Sequence, residues 1–203
     1  SDQVSQIDPS ETSLRGEHNR SNMALAVRCV EQLLDVESLI DNPKVRQAII
    51  DFAGLPHRFQ TVASSGEVDF INDSLSTNIL PTIAALKALT GERLAVIVGG
   101  YDRGIDQAEL TDYLATLDSN ICVVCIPDTG SAIYEGLTSR KTEVVVKKAA
   151  TMAESVSVAY SWAKEGGGIV LLSPAAASFN EFANYKERGE AFAQISNALI
   201  DGS

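Results

Sequence analysis

The sequence predicts an α/β protein with a doubly wound, mostly parallel sheet and one antiparallel hairpin strand at the sheet edge. From residue 78 onward, continuously apolar strand segments alternate with helical segments of about 10 to 15 residues. This alternation is typical of a parallel sheet covered on both faces. A hairpin pattern precedes it, and two helices with no strand between them precede the hairpin. The order predicts two parts, residues 1–54 as the helical end of a preceding domain and residues 55–203 as the α/β domain.

The first helix is predicted over residues 17–35, where apolar side chains recur with helical spacing. They form one stripe: Met23, Ala26, Val27, Val30, Leu33 and Leu34. A second helix has Asn42 as its cap, Pro43 in its first turn and Gly54 as its stop. Residues 57–73, "HRFQTVASSGEVDFIND", have the pattern of a strand, a Ser-Ser-Gly turn and a second strand.

The alternation that follows predicts the remaining elements. Helices are expected at 79–89, 107–117, 130–139 and 152–165, with closing helices over 178–199; strands are expected at 93–100, 120–126, 142–148 and 167–173. Consecutive parallel strands are joined by right-handed crossovers, so helices will cover both faces of the sheet.

Composition excludes several classes of protein. The chain has 16 basic and 27 acidic residues among its 203, a net charge of −11, which argues against a nucleic-acid surface. No run of 18 apolar residues occurs, so no membrane span is expected, and the polar N-terminus lacks the order of a secretory signal.

An odd number of cysteines predicts a reducing, cytoplasmic location. Cys122 and Cys125 lie in an apolar strand, facing opposite sides of the sheet, which predicts core residues rather than a redox pair.

Polar residues follow three of the predicted strands, at the end where open α/β sheets bind ligands. Arg103 follows two glycines in "VGGYDRG", and Asp73 and Thr77 lie in "NDSLSTN". Ser178 opens the last helical segment, with Glu181 completing a capping-box pattern. A helix start favours a carboxylate or phosphate, and the three alanines before it would let a ligand approach the backbone. Together these residues predict a cradle for an anion, either a carboxylate or a phosphate, at this edge of the sheet.

Each of these residues also has a plainer interpretation. Ser178 would cap its helix and do nothing more, Arg103 would pair with Asp102 or Asp106, and Asp73 and Thr77 would be turn and cap residues. The sequence has no GxxxxGK[ST] phosphate loop, no GxGxxG following a strand and no zinc-ligand spacing.

Five segments in order carry a resemblance to a known family. "GEHNRSN", "HRF", "NDSLSTN", "VGGYDRG" and "LLSPAAASFNEFANYKERGEAF" resemble the C-terminal part of the Mur ligases, in particular the glutamate-adding branch. The similarity runs from about residue 14 to residue 195, and the last segment is the most diagnostic. The resemblance implies a Rossmann-like C-terminal domain preceded by the end of a central ATPase domain. It also implies an ATP-dependent amide ligase of peptidoglycan synthesis, in which glutamate attacks an acyl phosphate of UDP-N-acetylmuramoyl-L-alanine.

The resemblance also implies roles for individual residues. Asn19 and Asn22 would approach the adenine of ATP, and Arg58 and Asp73 would contact its phosphate and ribose. The implied glutamate-binding residues are Thr77, Arg103, Ser178, Phe179 and Tyr185. The phosphate loop, the Mg²⁺ ligands and a modified lysine would lie upstream of Ser1, so this chain alone is expected to be inactive and to hold no catalytic residue.

The sequence departs from the family pattern at two positions and leaves alternatives open. Leu75 stands where the family often has lysine, and Arg103 where one branch uses lysine, which leaves open whether D- or L-glutamate is the substrate. The alternatives are a related ligase for another amino acid and a non-catalytic nucleotide-binding module.

Overall fold

The computed structural model describes residues 12, 16–179 and 181–202. The chain divides into two compact units, Ser1–Leu55 and Pro56–Ser203. The first contains helices α1 (Glu17–Leu34) and α2 (Pro43–Ile50), with a short 3-10 helix at Leu39–Asp41. The second contains strands β1 (Gln60–Ser64), β2 (Val68–Asn72), β3 (Leu94–Gly100), β4 (Ile121–Asp128), β5 (Val145–Lys148) and β6 (Gly168–Leu172). Its helices are α3 (Ile79–Ala88), α4 (Ala108–Ala115), α5 (Thr129–Thr138), α6 (Met152–Lys164) and α7 (Tyr185–Asp201).

The first unit follows the predicted helix signals at most points. Asn42 caps α2 by accepting a hydrogen bond from the backbone N–H of Lys44 at 3.0 Å, with Pro43 in the first turn as predicted. The helix ends at Ile50, before the predicted stop at Gly54. On α1, Val27 of the predicted apolar stripe is buried whereas Leu33 is 83% exposed, so the stripe is only partly covered.

The second unit is built around one six-stranded sheet in the order β1-β2-β6-β3-β4-β5. β1 pairs antiparallel with β2, and all other neighbouring pairs are parallel. This arrangement confirms the predicted doubly wound sheet with a hairpin strand at its edge.

Two apolar layers cover the sheet, because successive side chains of a strand point to opposite faces. Helices α3, α4 and α5 pack against one face, and α6 and α7 against the other. Cys125 belongs to the first layer and Cys122 to the second, both buried, as the strand pattern predicted. Burial raises the pKa of the Cys122 thiol to about 11 and that of Cys125 to about 12, so both remain protonated at neutral pH.

The neighbouring strands β3 and β6 create a crevice at one end of the sheet. They run parallel, but the helix after β3 lies on one face and the helix after β6 on the other. The chain segments that leave these strands therefore diverge, and such a switch point is where open α/β sheets bind ligands.

The last helix begins later than predicted. The capping-box pattern at Ser178 and Glu181 predicted a helix from residue 178, whereas α7 starts at Tyr185. Its cap is Asn184, whose Oδ1 accepts hydrogen bonds from the N–H groups of Lys186 and Glu187 at 2.9 and 3.1 Å. Glu187 in turn accepts from the N–H of Ala183 at 2.7 Å, so the helix start is held from both sides.

Candidate functional site

The segment after β6 is held against the end of β3 by backbone hydrogen bonds. The N–H of Gly99 donates to the carbonyl of Pro174 at 2.8 Å, and that of Tyr101 donates to Ala177 at 3.0 Å. Gly100 lies at φ 136°, and a Cβ there would lie 2.6 Å from the Ala177 carbonyl oxygen. The close approach of the two segments therefore requires glycine at this position.

The three alanines of this segment have almost no exposed surface. Ala175, Ala176 and Ala177 are all buried, with 0%, 3% and 4% of their surface exposed. Their small side chains pack inside the protein, and Ala175 belongs to the core layer that contains α3, α4 and α5. Packing accounts for Ala175 and Ala176, whereas Ala177 also lines the cleft that contains Ser178, and the approach of a ligand to the backbone there stays a prediction.

Ser178 is the first residue after the alanines and lines a cleft of about 360 Å³. Ser178 itself is only 6% exposed. Besides Ser178, the cleft is lined by residues at the ends of β3 and β4, at the start of α6, in the turn before α7 and in α7 itself, including Gly100, Tyr101, Thr151, Glu181, Phe182 and Arg188. This half-open cleft at the switch point has a mostly apolar lining with a few polar side chains, which is a setting in which a small ligand can bind.

Phe179 lies at the rim rather than inside this cleft. Its side chain is 61% exposed, and its ring meets that of Tyr101 edge-on with centroids 5.9 Å apart. Phe182, which the sequence analysis did not select, lines the cleft instead.

Arg103 and Thr77 are brought together at the same end of the sheet. The Nη2 atom of Arg103 donates to the backbone carbonyl of Thr77 at 2.8 Å. The alternative in which Arg103 pairs with a neighbouring aspartate is not observed, because Asp102 and Asp106 accept from the backbone N–H groups of Gly104 and Ala108. Arg103 is exposed, so its guanidinium has donors free to meet an anion.

The predicted cradle is therefore only partly assembled as expected. Arg103 is hydrogen-bonded directly to Thr77. Ser178 follows Ala177, whose carbonyl accepts from the N–H of Tyr101, and Tyr101 stands two residues before Arg103. All three residues are at the carboxyl end of the sheet, but Arg103 and Thr77 are not among the residues that line the Ser178 cleft.

The "HRF" segment forms a strained loop that presents Arg58. His57 and Phe59 have positive φ angles of 62° and 51°, which bulky residues rarely adopt. The N–H of His57 donates to the Gln60 side chain at 3.0 Å, and its carbonyl accepts from Leu75 at 3.0 Å. Strain of this kind persists only where surrounding contacts fix the loop, and it is concentrated at functional sites.

Asp73 is buried, and its carboxylate is hydrogen-bonded to groups inside the protein. Its carboxylate accepts hydrogen bonds from the hydroxyls of Ser76 (2.5 Å) and Ser173 (2.8 Å) and from the N–H of Phe59 (3.2 Å). Burial raises the pKa of this carboxyl, against these hydrogen bonds and the charge of Arg58, which lower it. Asp73 thus fixes the loop that carries Arg58, while its direct contact with nucleotide stays a prediction.

Tyr185 lies beside the "HRF" loop, whose Arg58 is a predicted nucleotide contact. Its ring meets His57 edge-on, with centroids 6.1 Å apart, and it is not among the residues that line the Ser178 cleft. The grouping of Tyr185 with Ser178 in one pocket is therefore not observed, because α7 begins with Tyr185 facing the "HRF" loop.

Asn19 and Asn22 belong to the first unit, on α1. They are one turn apart; Asn19 is 8% exposed and Asn22 is exposed. The spacing of three residues places both on one face of the helix. Their contact with adenine stays a prediction.

Two further features concern what the described residues can hold. Among residues 12, 16–179 and 181–202, no group of three or more His, Cys, Asp or Glu side chains could hold a metal ion. Within the same ranges, no helix is both long and apolar enough to pass through a bilayer.

Comparison with known families gives a consistent match. Residues 57–176 match the family model described as "Mur ligase, glutamate ligase domain". Curated relatives include the UDP-N-acetylmuramoyl-L-alanine–L-glutamate ligase of Salinispora tropica, 36% identical over 89% of this chain and 39% of the relative. The UDP-N-acetylmuramoylalanine–D-glutamate ligase of Porphyromonas gingivalis is 36% identical over 92% of this chain and 39% of its own length. That of Bordetella parapertussis is 42% identical over 93% of this chain and 35% of its own length.

Solved structures share the fold at low sequence identity. The folylpolyglutamate synthase of Mycobacterium tuberculosis, complexed with ADP and AMPPCP, has a TM-score of 0.63 and 18% identity over 92% of this chain and 41% of that one. The MurF ligase of Thermotoga maritima, in complex with ADP, has a TM-score of 0.57 and 16% identity, and the match covers 89% of this chain and 38% of that one. The chain spans roughly two fifths of the length of the curated relatives it matches.

Proposed function

Because the chain belongs to the Mur ligase family, we propose that it is the C-terminal part of an ATP-dependent ligase that adds glutamate to UDP-N-acetylmuramoyl-L-alanine. The observation that carries this proposal is the arrangement at the β3–β6 switch point. There, Arg103, held on the Thr77 carbonyl, and the cleft containing Ser178 occupy one end of the sheet. Both features suit the carboxylates of an acidic amino acid.

The proposed reaction has two steps in the longer protein. The γ-phosphoryl group of ATP passes to the carboxylate of UDP-N-acetylmuramoyl-L-alanine, which gives an acyl phosphate and ADP. The glutamate amine then forms a bond to the carbonyl carbon, the bond from that carbon to the phosphate oxygen breaks, and phosphate leaves as the amine loses a proton. Mg²⁺ would neutralise charge on the transferred phosphoryl group. We assign its ligands to the part of the protein that precedes this chain.

This chain would bind and orient glutamate rather than perform the phosphoryl transfer. Arg103 would bind one carboxylate through its free guanidinium donors, and Ser178 would donate a hydrogen bond to a carboxylate in the cleft. Arg58, exposed on its fixed loop, would contact the nucleotide, and Asn19 and Asn22 its adenine. Closure of this domain on the rest of the enzyme would exclude water from the acyl phosphate.

The handedness of the glutamate is the finer part of the proposal. Relatives at the same 36% identity are named for L-glutamate in one case and for D-glutamate in another. We propose D-glutamate, with L-glutamate as the alternative. Leu75 stands two residues before Thr77 and lacks the positive charge that a lysine would place near the incoming amino acid. The use of ATP and a UDP-sugar fits a cytoplasmic location.

The test is phosphate release by the longer protein that contains this chain, supplied with ATP, Mg²⁺ and UDP-N-acetylmuramoyl-L-alanine. We expect release that depends on D-glutamate, with L-glutamate, diaminopimelate and lysine much less effective. Release that depends on one of the other amino acids would contradict the choice of substrate. The 203-residue chain alone should show no turnover, and glutamate-dependent release by it would overturn the proposed division of labour.

A non-catalytic nucleotide-binding module is the alternative from another class. It predicts that the longer protein binds nucleotide with the same affinity whether or not glutamate and the UDP-sugar are present. Isothermal titration with a non-hydrolysable ATP analogue separates the two, since a ligase should bind glutamate more tightly once the other two ligands are in place.

A further inference from the structure

Arg188, on the second turn of α7, is the largest of the fully buried side chains in the part of the chain that the structure describes. Only 1% of its surface is exposed. Arginine is almost never buried to this degree unless it is paired, so the position requires an explanation.

The guanidinium of Arg188 joins two loops of the proposed site. Its Nε donates to the Ser74 hydroxyl at 3.0 Å and its Nη2 to the Ser74 carbonyl at 2.9 Å. Its Nη1 donates to the carbonyl of Ala176 at 3.0 Å. The Ser74 hydroxyl in turn donates to the carbonyl of Tyr185 at 2.8 Å. One side chain therefore ties the loop after β2 and the loop after β6 to the start of α7.

No carboxylate of the described residues pairs with this charge. Arg188 forms no ion pair with any residue in the described ranges, and its hydrogen-bond acceptors are all neutral. Burial lowers the pKa of Arg188 to about 10, so the side chain still carries its charge at neutral pH. A buried cation of this kind favours an anion nearby, because charges interact strongly where water is excluded.

Arg188 also lines the cleft that contains Ser178. Two acidic residues, Asp128 and Glu181, contribute to the same lining, but both are exposed and therefore screened by water. Arg188 is the only cation among the residues that line the cleft.

We propose that Arg188 is a positioning residue for the amino-acid substrate. It fixes the Ser74 loop, which leads to Thr77, against the Ala176 segment, which leads to Ser178, and its buried charge makes the cleft favourable to a substrate carboxylate. This inference rests on the proposed function, and it assigns to a residue within α7 a role in selecting an acidic amino acid.

The test compares Arg188→Lys and Arg188→Met in the longer ligase. Lysine keeps the positive charge but cannot form all three hydrogen bonds of the guanidinium to Ser74 and Ala176. Methionine removes the charge and the hydrogen bonds. We expect the KM for glutamate to rise at least about 10-fold in Arg188→Lys and further in Arg188→Met, while the KM for ATP changes less than about twofold. Ser74→Ala, which removes one acceptor of Arg188, should give a smaller rise in the same direction and serves if the arginine variants do not fold.

Arg93→Lys is the matched control. Arg93 is also partly buried, stacked 3.8 Å over the Trp162 ring and bound to the Trp162 carbonyl at 3.0 Å, but it lies next to the amino end of β3. Its substitution should lower thermal stability without changing the KM for glutamate.

Three outcomes would overturn the inference. A folded Arg188→Lys enzyme with unchanged KM for glutamate would do so, as would a parallel rise in the KM values for glutamate and ATP, which a merely structural role predicts. If the arginine variants do not fold, an unchanged KM for glutamate in Ser74→Ala would count against it. A wild-type enzyme that ligates only neutral or basic amino acids would instead refute the proposed function, and with it the charge role of Arg188.

Discussion

Buried polar side chains hold the carboxyl end of this sheet in place. Asp73 is 4% exposed and accepts from two hydroxyls, and Ser173, which is fully buried, also bonds to Thr82 of α3 at 3.0 Å. The exposed residues Arg58 and Arg103 then extend from loops that these contacts fix. Asp73, Ser173 and Thr82 each have a hydrogen-bond partner, which is the condition under which burial of polar groups is tolerated.

The raised pKa of Asp73 gives a pH-dependent prediction. In the folded state the pKa of this carboxyl lies above its ordinary value of 3.8, so the proton is bound more tightly than in the unfolded chain. Its contribution to stability is therefore fully present below 3.8 and is lost as pH rises through the folded pKa. We expect the free energy of unfolding of the wild type, relative to Asp73→Asn, to increase as pH falls from 7 toward 4.

Urea unfolding of both proteins at several pH values measures this difference. Ser76→Ala, which removes the hydroxyl bonded to Asp73 but keeps the carboxyl, is the control and should retain the wild-type direction of the pH effect. A difference that is constant with pH, or that decreases on acidification, would contradict the assigned burial of the charge.

At the scale of elements, the sequence predicts which segments form helices and strands better than it predicts the residues at which they begin and end. The sequence contains two capping patterns, at Ser178–Glu181 and at Asn184–Glu187, and local chemistry alone does not choose between them. Hydrogen bonds from the N–H groups of Gly99 and Tyr101 to the carbonyls of Pro174 and Ala177 hold this segment in a non-helical conformation, and α7 uses the second pattern. The choice is made by a long-range contact that residue spacing does not reveal.

Substitution of the two caps distinguishes these roles. Asn184→Ala should lower the free energy of unfolding by about 1 kcal/mol, within a usual range of roughly 0.5–2 kcal/mol, because it leaves two N–H groups of α7 without a partner. Ser178→Ala should have a much smaller effect, since no helix begins there. Chemical denaturation measures both, and a larger loss for Ser178→Ala would contradict the observed helix start.

At the scale of the whole molecule, periodicity predicted the sheet because buried parallel strands leave continuous apolar runs in the sequence. It did not predict Arg188, because an arginine in an amphipathic helix is ordinarily exposed and nothing in "NYKERGE" marks one that points inward. The burial of Ala175 and Ala176 was not predicted for a related reason, since small residues suit both a close ligand and a tightly packed segment. Arg103 and Thr77 were predictable as neighbours because both follow strands whose carboxyl ends meet at one edge.

The account depends on glutamate being bound at that edge, and the KM for glutamate of Arg103→Met in the longer ligase tests this most directly. Arg140→Met is the control, because Arg140 is another arginine with an exposed side chain but is paired with Asp112 on α4. Loss of a charge-assisted contact predicts a rise of about 10- to 100-fold in the KM for glutamate with Arg103→Met, and no change with Arg140→Met. An unchanged KM for glutamate in the Arg103→Met enzyme would contradict the account.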